Sequence, residues 1–469
     1  MDPFVVAGGD AAGLSAASKC KRESPDREVV VFEKGQWVSY AHCGTPYFVK
    51  GEVGELTDLV SLTPEDVAER DIDLRRGHEV VDVDAAEKTV TVEGPDGRFE
   101  QGYGDLLLGT GARALRSPFE GLDLLGAFTL HGLPDAAAIR AFVDASFDPH
   151  EAALGPLDPT TLDRFADAPT PDAAAVVGGG YVGVEMAEAL TAQGLDVHLF
   201  QRGSHLLPPF GPAVGEAVAD ELANRGVTVH TDTAVEAIEG DGRVERVAHE
   251  NGSVSVGAAV VGVGIEPNTT LATAAGADLG DSGAVAVDRY GRTGVDGVYA
   301  AGDCAESRHT VSGEPTWVPL GLTANRAGRA IGATVAGDPT PVGDIAGTAV
   351  VKAFDLGAGR AGFVTEDAAR EAGFEPVSET ITAGSRSGYY PGAAETTVTL
   401  TADRGTGRVL GASVVGSDRA AKRIDTVATA LDAGHTVAEL ERLDLAYAPP
   451  FSPVWDPILV AAKVLGGKV

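Results

Sequence analysis

Two stretches of the chain carry the same order of apolar and small residues. In the first, the apolar run Phe4–Ala7 leads into Gly8-Gly9-Asp10-Ala11-Ala12-Gly13, then a small-residue helix, then the run Val29–Phe32, which stops at Glu33. In the second, Ala174–Val177 leads into Gly178-Gly179-Gly180-Tyr181-Val182-Gly183, a helix from Val184 to Gln193, and the run Val197–Phe200, which stops at Gln201. Short unbroken apolar runs read as strands buried on both faces. A glycine-rich turn between such a strand and a helix is the plan of a nucleotide-binding unit, so two copies predict two nucleotide sites.

The remaining pattern divides the chain further. A helix is expected over Leu133–Val143. The stretch Asp144–Asp172, rich in Asp, Pro and Ala, reads as an acidic surface insertion or linker. After about Asp338 the style changes to alternating strands, Thr396–Leu400 and Val409–Val415, followed by a helix over Lys422–Ala433. The expected architecture is α/β: two Rossmann-like domains and a C-terminal α+β domain.

Composition narrows the function. The 469 residues suit about three domains at ~150 residues each. No apolar run reaches the ~18 residues needed to cross a bilayer. Met1-Asp2-Pro3-Phe4 has no basic flank or cleavage site, so a cytoplasmic protein is expected, with no membrane partner. The net charge of −33, from 69 acidic and 36 basic residues, is spread along the chain and reads as an acidic surface of the halophile kind. Such a surface repels nucleic acid. At low salt it destabilises its own fold, since the Debye length grows to ~30 Å at 0.01 M. Three cysteines make no disulfide scaffold, and no Cys/His spacing suggests a metal.

At the first site, Gly8 and Gly13 stand where the backbone must approach a pyrophosphate and where the helix must pack on its strand. Asp10 replaces the middle glycine. Glu33, twenty residues beyond Gly13, and its neighbour Lys34 end the second strand, where a carboxylate accepts ribose hydroxyls. At the second site Gly178, Gly180 and Gly183 keep the full spacing. Gln201 stands at the acidic position there, with Arg202 beside it. A carboxylate would repel a 2′-phosphate; an amide does not, and Arg202 can grip it.

With the strand Leu106–Leu108 ending in Gly109-Thr110-Gly111, and Gly297–Ala301 ending in Gly302-Asp303, the chain resembles the two-dinucleotide-binding flavoprotein reductases of glutathione-reductase-like fold. The resemblance implies FAD at the first site, contacted by Thr110, Gly111 and Asp303, and the nicotinamide cofactor at the second, where Gln201 and Arg202 make NADPH, or use of both NADPH and NADH, the expectation. It also implies that Tyr181 covers the flavin until the nicotinamide displaces it, and that Glu185 lies near the nicotinamide amide. The FAD domain is expected over 1–130 and 275–337, the NAD(P)H domain over 131–274, and a dimerisation domain over 338–469.

Dithiol members of that family carry Cys-x-x-x-x-Cys after the first unit. Here Cys43 is followed by Phe48, and Cys20 and Cys304 lie elsewhere as bystanders. One cysteine can cycle between thiolate and a mixed disulfide or sulfenic acid. A helix N-terminus and His42 would lower its pKa. The segment Ser39 to Tyr47, with Tyr389 and Tyr447 in two C-terminal motifs, resembles the single-cysteine branch: coenzyme A–disulfide reductases, NADH oxidases and NADH peroxidases. The coenzyme A reductases match best, although His42 stands where they usually have Asn and Ala11 where the peroxidases have His. The resemblance implies a homodimer in which Tyr389 and Tyr447 reach the partner's active site. Coenzyme A disulfide is the expected substrate, with Ser39, His42, Lys19 and Arg22 as contacts and Arg70 a weaker one. No sulfur-transfer module is expected after Val469. An NADH oxidase, a polysulfide reductase and a non-catalytic redox sensor are the alternatives.

Overall fold

The computed structural model describes residues 2–116 and 120–469. Met1 and 117–119, inside the span expected for the first domain, lie outside the described residues.

The first five-stranded sheet is parallel, in the order Val298–Ala300, Asp105–Leu108, Phe4–Ala7, Val29–Glu33, Asp73–Arg76. Its central strands alternate between two cores. Phe4 and Val6 face the helix Ala11–Glu23, while Val5 and Ala7 face an antiparallel meander, Glu79–Asp84, Thr89–Gly94 and Gly97–Gly102. Burial on both faces is why these strands are apolar throughout.

The second sheet repeats the plan. Its order is Thr228–His230, Asp196–Phe200, Ala173–Val177, Ala258–Val261, Ala127–Thr129, and it too is parallel. The helix Tyr181–Ala192 covers one face and the meander Val235–Glu239, Arg246–His249, Gly252–Ser255 the other. A two-stranded link, Ala112–Ala114 against Ile265–Pro267, carries the chain between the two halves. The second sheet already includes Ala127–Thr129, before residue 131. The helix Thr270–Ala274, before residue 275, packs through Leu271 and Ala272 on the first domain.

The C-terminal part is one antiparallel sheet, ordered Ala349–Ala353, Leu356–Gly362, Val409–Gly416, Glu395–Asp403, Pro376–Gly384. The helices Ile424–Asp432 and Pro457–Leu465 cover it. Residues Ala421–Arg423 form a separate 3₁₀ turn at the start of the expected 422–433 helix.

The segment 144–172 is more than a linker. Leu154, Leu162 and Phe165 are buried in the core with Phe48, Phe128 and Phe142, and the Phe142 and Phe165 rings meet at 90°. Apart from Asp144, which is mostly buried beside Arg140, its acidic residues face water, and its few apolar ones plug the gap between the first two domains. No helix among the described residues is long and apolar enough to cross a membrane.

The three parts of the chain meet at Glu188, on the helix Tyr181–Ala192. Its side chain is 4% exposed. It accepts from Lys50 Nζ at 2.6 Å, from Lys352 Nζ at 2.7 Å and from the Phe354 backbone N–H at 2.7 Å. Burial works against the carboxylate, but these donors hold its pKa below the usual value of 4.5. A depressed carboxylate contributes stability above its unfolded pKa and loses it as pH falls. Glu188→Ala should therefore cost about 3 kcal/mol. For Glu188→Gln, the loss in melting temperature should be largest above pH 5 and shrink below 4.5. A gap that does not change with pH would contradict this account.

Candidate active site

The two glycine turns share one geometry. Gly8 has φ 116°, and a Cβ there would stand 2.1 Å from the Gly109 carbonyl oxygen. A Cβ on Gly13 would stand 1.9 Å from the Gly8 oxygen. At the second turn Gly178 has φ 108°, and a Cβ would meet the Gly262 oxygen at 2.4 Å; one on Gly183 would meet the Gly178 oxygen at 1.7 Å. These positions admit only glycine. The middle position does not: Gly180 is extended, and a Cβ there would meet nothing within 4 Å. Asp10 occupies the matching place with φ −115°, so its side chain is sterically free to exist.

The strand ends serve the turns first. Glu33 Oε2 accepts the Gly9 N–H at 2.9 Å and Oε1 accepts that of Gly35 at 2.7 Å. Gln201 Oε1 accepts the Gly179 N–H at 3.1 Å. Gln201 is thus the neutral counterpart of Glu33, and Arg202 is exposed beside it.

A single cavity of about 2460 Å³ joins both turns, reaching Glu33 and Lys34 at one end, Cys43, Thr110 and Asp303 between, and Gln201 and Arg202 at the other. That is more than twice the roughly 300–1,000 Å³ of an ordinary ligand pocket, so two dinucleotides fit. Gly111, at φ 66°, closes the Thr-Gly turn. Asn268 latches it: its Nδ2 donates to the Thr110 carbonyl at 2.9 Å, and Thr110 Oγ1 donates to the Asn268 carbonyl at 2.6 Å. Burial raises the Asp303 carboxyl above its usual pKa, helped by Asp10 and opposed by His42.

Cys43 sits in the 3₁₀ turn His42–Gly44, just before the helix Thr45–Lys50, with its thiol open to the cavity. Its pKa is raised, contrary to expectation. The cavity walls desolvate it and the carboxylates of Glu185 and Asp303 repel a thiolate, outweighing a favourable backbone hydrogen bond. His42 is engaged elsewhere: Nδ1 donates to the His131 carbonyl at 2.9 Å and Nε2 meets Asp10 Oδ2 at 2.5 Å. Cys20 and Cys304 are fully buried. Phe48 is buried too, under the Arg140 guanidinium at 4.6 Å.

Two residues that carried no assigned role in the sequence meet the second glycine turn and its helix. Tyr47 donates to Glu185 Oε1 at 3.0 Å. Burial pushes Glu185 up to about 7, against that hydrogen bond. Arg360, from the C-terminal domain, donates through Nε to the Tyr181 hydroxyl at 3.1 Å, and the Tyr181 ring meets Phe210 edge-on. Nothing in the local sequence signals that Arg360 reaches this site.

Other expected residues lie outside the cavity. Ser39 holds the loop by its backbone, at φ 47°, donating to the Gly9 oxygen and accepting from Ser61 N–H. Lys19 is paired with Glu23 at 2.5 Å, Arg22 is exposed, and Arg70 donates to Ser18. Tyr389 and Tyr447, 77% and 49% exposed, stand on the surface of the C-terminal domain with Phe451 and Trp455. Among the described residues no group of three or more His, Cys, Asp or Glu is arranged to hold a metal ion.

Comparison with known proteins agrees with this geometry. Residues 2–324 match the model of pyridine nucleotide-disulphide oxidoreductases and 348–457 that of their dimerisation domain. The NAD(P)H coenzyme A polysulfide/persulfide reductase of Pyrococcus horikoshii is 37% identical over 462 residues, 98% of each chain. The coenzyme A disulfide reductase of Staphylococcus haemolyticus is 30% identical over 459 residues, 96% of each. The NAD-dependent persulfide reductase of A. fulgidus superposes with a TM-score of 0.90 at 34% identity, over 99% of this chain and 83% of that one.

The Glu185 environment yields a test. A carboxyl whose folded pKa is raised from 4.5 to about 7 gives full stability below 4.5 and loses it as pH rises through 7. Glu185→Gln keeps the acceptor for Tyr47 and cannot ionise. It should raise the melting temperature of the FAD-bound protein by roughly 2–4 °C at pH 8 and change it little at pH 5. Equal effects at both pH values would refute the assignment.

Proposed function

The chain belongs to the pyridine nucleotide-disulphide oxidoreductases, and we propose that within that family it reduces coenzyme A disulfide through Cys43. It is an FAD-dependent enzyme that takes electrons from NAD(P)H. The observation carrying the finer reading is that Cys43 is the one cysteine on the described cavity wall, with buried Phe48 where a second thiol would stand. Electrons leaving the flavin site thus meet a bond between Cys43 and sulfur from outside.

FAD, when bound, supplies hydride acceptance from NAD(P)H and a two-electron transfer to sulfur. The chain's own part is to hold and orient. Cys43 thiolate attacks coenzyme A disulfide; one S–S bond breaks, another forms, and one CoA leaves as thiolate. Two electrons and one proton then return the Cys43 mixed disulfide to Cys43 thiolate and free CoASH. Tyr181, tethered by Arg360, is the gate on the nicotinamide side, and Glu185 the carboxyl facing the nicotinamide amide. Glu33, Lys34, Thr110, Gly111 and Asp303 are the FAD contacts.

The exposed Tyr389, Tyr447, Phe451 and Trp455 support a homodimer in which the two tyrosines complete the partner's site. Arg22, exposed on the first helix, is the better cation for the CoA phosphates, since Lys19 is tied to Glu23. The relative from P. horikoshii, similar over the full chain, supports a second reading in which Cys43 takes sulfane sulfur from polysulfide or persulfide.

Cys43→Ser should keep FAD and accept hydride, yet lose disulfide turnover by roughly 1,000-fold or more. Mass spectrometry of the isolated wild type should find coenzyme A on Cys43. Turnover of CoA disulfide by Cys43→Ser at the wild-type rate would sink the proposal; a sulfane adduct with slow CoA-disulfide turnover would favour the second reading.

Because Gln201 already accepts from Gly179, Gln201→Glu can keep that bond and add only charge. It should shift kcat/KM from NADPH toward NADH by about tenfold, ~1.4 kcal/mol. A wild type that is already tenfold better with NADH would show the pocket has been misread.

A further inference from the structure

The first dinucleotide turn contains an acid where a diphosphate must lie. Asp10 stands at the N-cap of the helix Ala11–Glu23 but makes no capping hydrogen bond to it. Its carboxylate is turned instead toward the cysteine loop, where Oδ1 accepts the Tyr40 N–H at 3.1 Å and Oδ2 meets His42 Nε2 at 2.5 Å. The other ring nitrogen, Nδ1, is 2.9 Å from the His131 carbonyl oxygen. A carbonyl oxygen and an ionised carboxylate can only accept. With Asp10 ionised, both ring nitrogens carry protons, and below its own pKa His42 is an imidazolium paired with that carboxylate.

That cation faces more than one anion. Asp10 and Asp303 both line the cavity, and both act on His42. Tyr40 stacks on the ring at 4.2 Å, and His131, with Asp135 and Lys34 around it, closes the other side. Burial works against the charge, yet the Asp10 hydrogen bond and charge, the His131 carbonyl and Asp303 together raise the His42 pKa above 6.5. His131 moves the other way, lowered by burial and by His42. Without His42's charge, the Asp10 carboxylate would confront the FAD diphosphate uncompensated, in a desolvated site where such repulsion is poorly screened.

We propose that His42 is a cofactor-binding residue whose positive charge, fixed between Asp10 and Asp303, allows an acidic side chain to occupy the diphosphate turn. Asp10 and His42 act as a matched pair: the acid fixes the ring and its charge, and the ring cancels the acid. FAD affinity is then tied to the protonation of His42. The pair is complete at low pH and lost as pH rises through the raised His42 pKa. This holds whichever disulfide the enzyme reduces.

The test is FAD affinity, not turnover. The full-length protein is stripped of flavin and titrated with FAD at constant salt, following flavin fluorescence at pH 6 and pH 9. The wild-type dissociation constant should rise about tenfold between the two. His42→Asn should bind about tenfold more weakly than wild type at pH 6, with no further loss at pH 9. The double variant His42→Asn with Asp10→Gly, which removes both charges, should regain wild-type pH 6 affinity at both pH values. A double variant as weak as His42→Asn would show that the ring acts by shape and overturn the proposal. So would a flat wild-type profile, which needs no variant to fold.

Discussion

A carboxylate removed from water costs several kcal/mol unless donors replace the water, and Glu188 finds its donors in three parts of the chain. Lys50 comes from the helix after the cysteine loop, Lys352 and the Phe354 N–H from the C-terminal sheet, and Glu188 itself from the second dinucleotide helix. None of the three can shift without stranding a buried charge. The consequence reaches the site because Glu188 lies less than one turn after Glu185 and two turns after Tyr181. Fixing this helix against the helix Thr45–Lys50 fixes the second glycine turn against Cys43. The Tyr47–Glu185 hydrogen bond is a second tie along the same seam.

The parts of the fold legible in the sequence are those set by local sterics. Gly8, Gly13, Gly178 and Gly183 had to be glycine because each meets a backbone oxygen well inside contact distance, and that requirement marks the chain with a pattern. The strands beside them are buried on both faces and so read as unbroken apolar runs. Asp10 could depart from the pattern because its position is extended and open. What stayed illegible rests on contacts distant in sequence. Asn268 meets Thr110, Arg360 meets Tyr181, and Phe165 meets Phe142 across chain separations that no local periodicity reports. The acidic segment 144–172 concealed its three core residues because Leu154, Leu162 and Phe165 are too few, among so many Asp, Pro and Ala, to set a readable periodicity.

The expectation for Cys43 failed for an instructive reason. A helix N-terminus lowers a thiol pKa only when its field is not overruled, and the helix after Cys43 is six residues long. Glu185 and Asp303 face the thiol from two other parts of the chain, and its neighbour His42 spends its charge on Asp10. Adjacency in sequence suggested a cation beside the cysteine; the side-chain geometry aims that cation at the cofactor cradle. The net charge of −33 is thus felt inside the molecule as well as on its surface. Acids crowd the cavity: Asp10 is paired with His42, Glu33 is satisfied by the Gly9 and Gly35 N–H groups, and burial raises Glu185 and Asp303.

This matching also gives the C-terminal domain a place in the site of its own chain. Lys352 helps neutralise Glu188, and Arg360 holds the Tyr181 hydroxyl. They lie on the neighbouring paired strands Ala349–Ala353 and Leu356–Gly362, so one edge of one sheet supplies both contacts. The same domain exposes Tyr389, Tyr447, Phe451 and Trp455 to water. An aromatic surface of this kind is costly to leave wet, and covering it with a second copy would load the sheet from outside. That sheet is the one whose edge reaches both Glu188, through Lys352, and the Tyr181 hydroxyl, through Arg360.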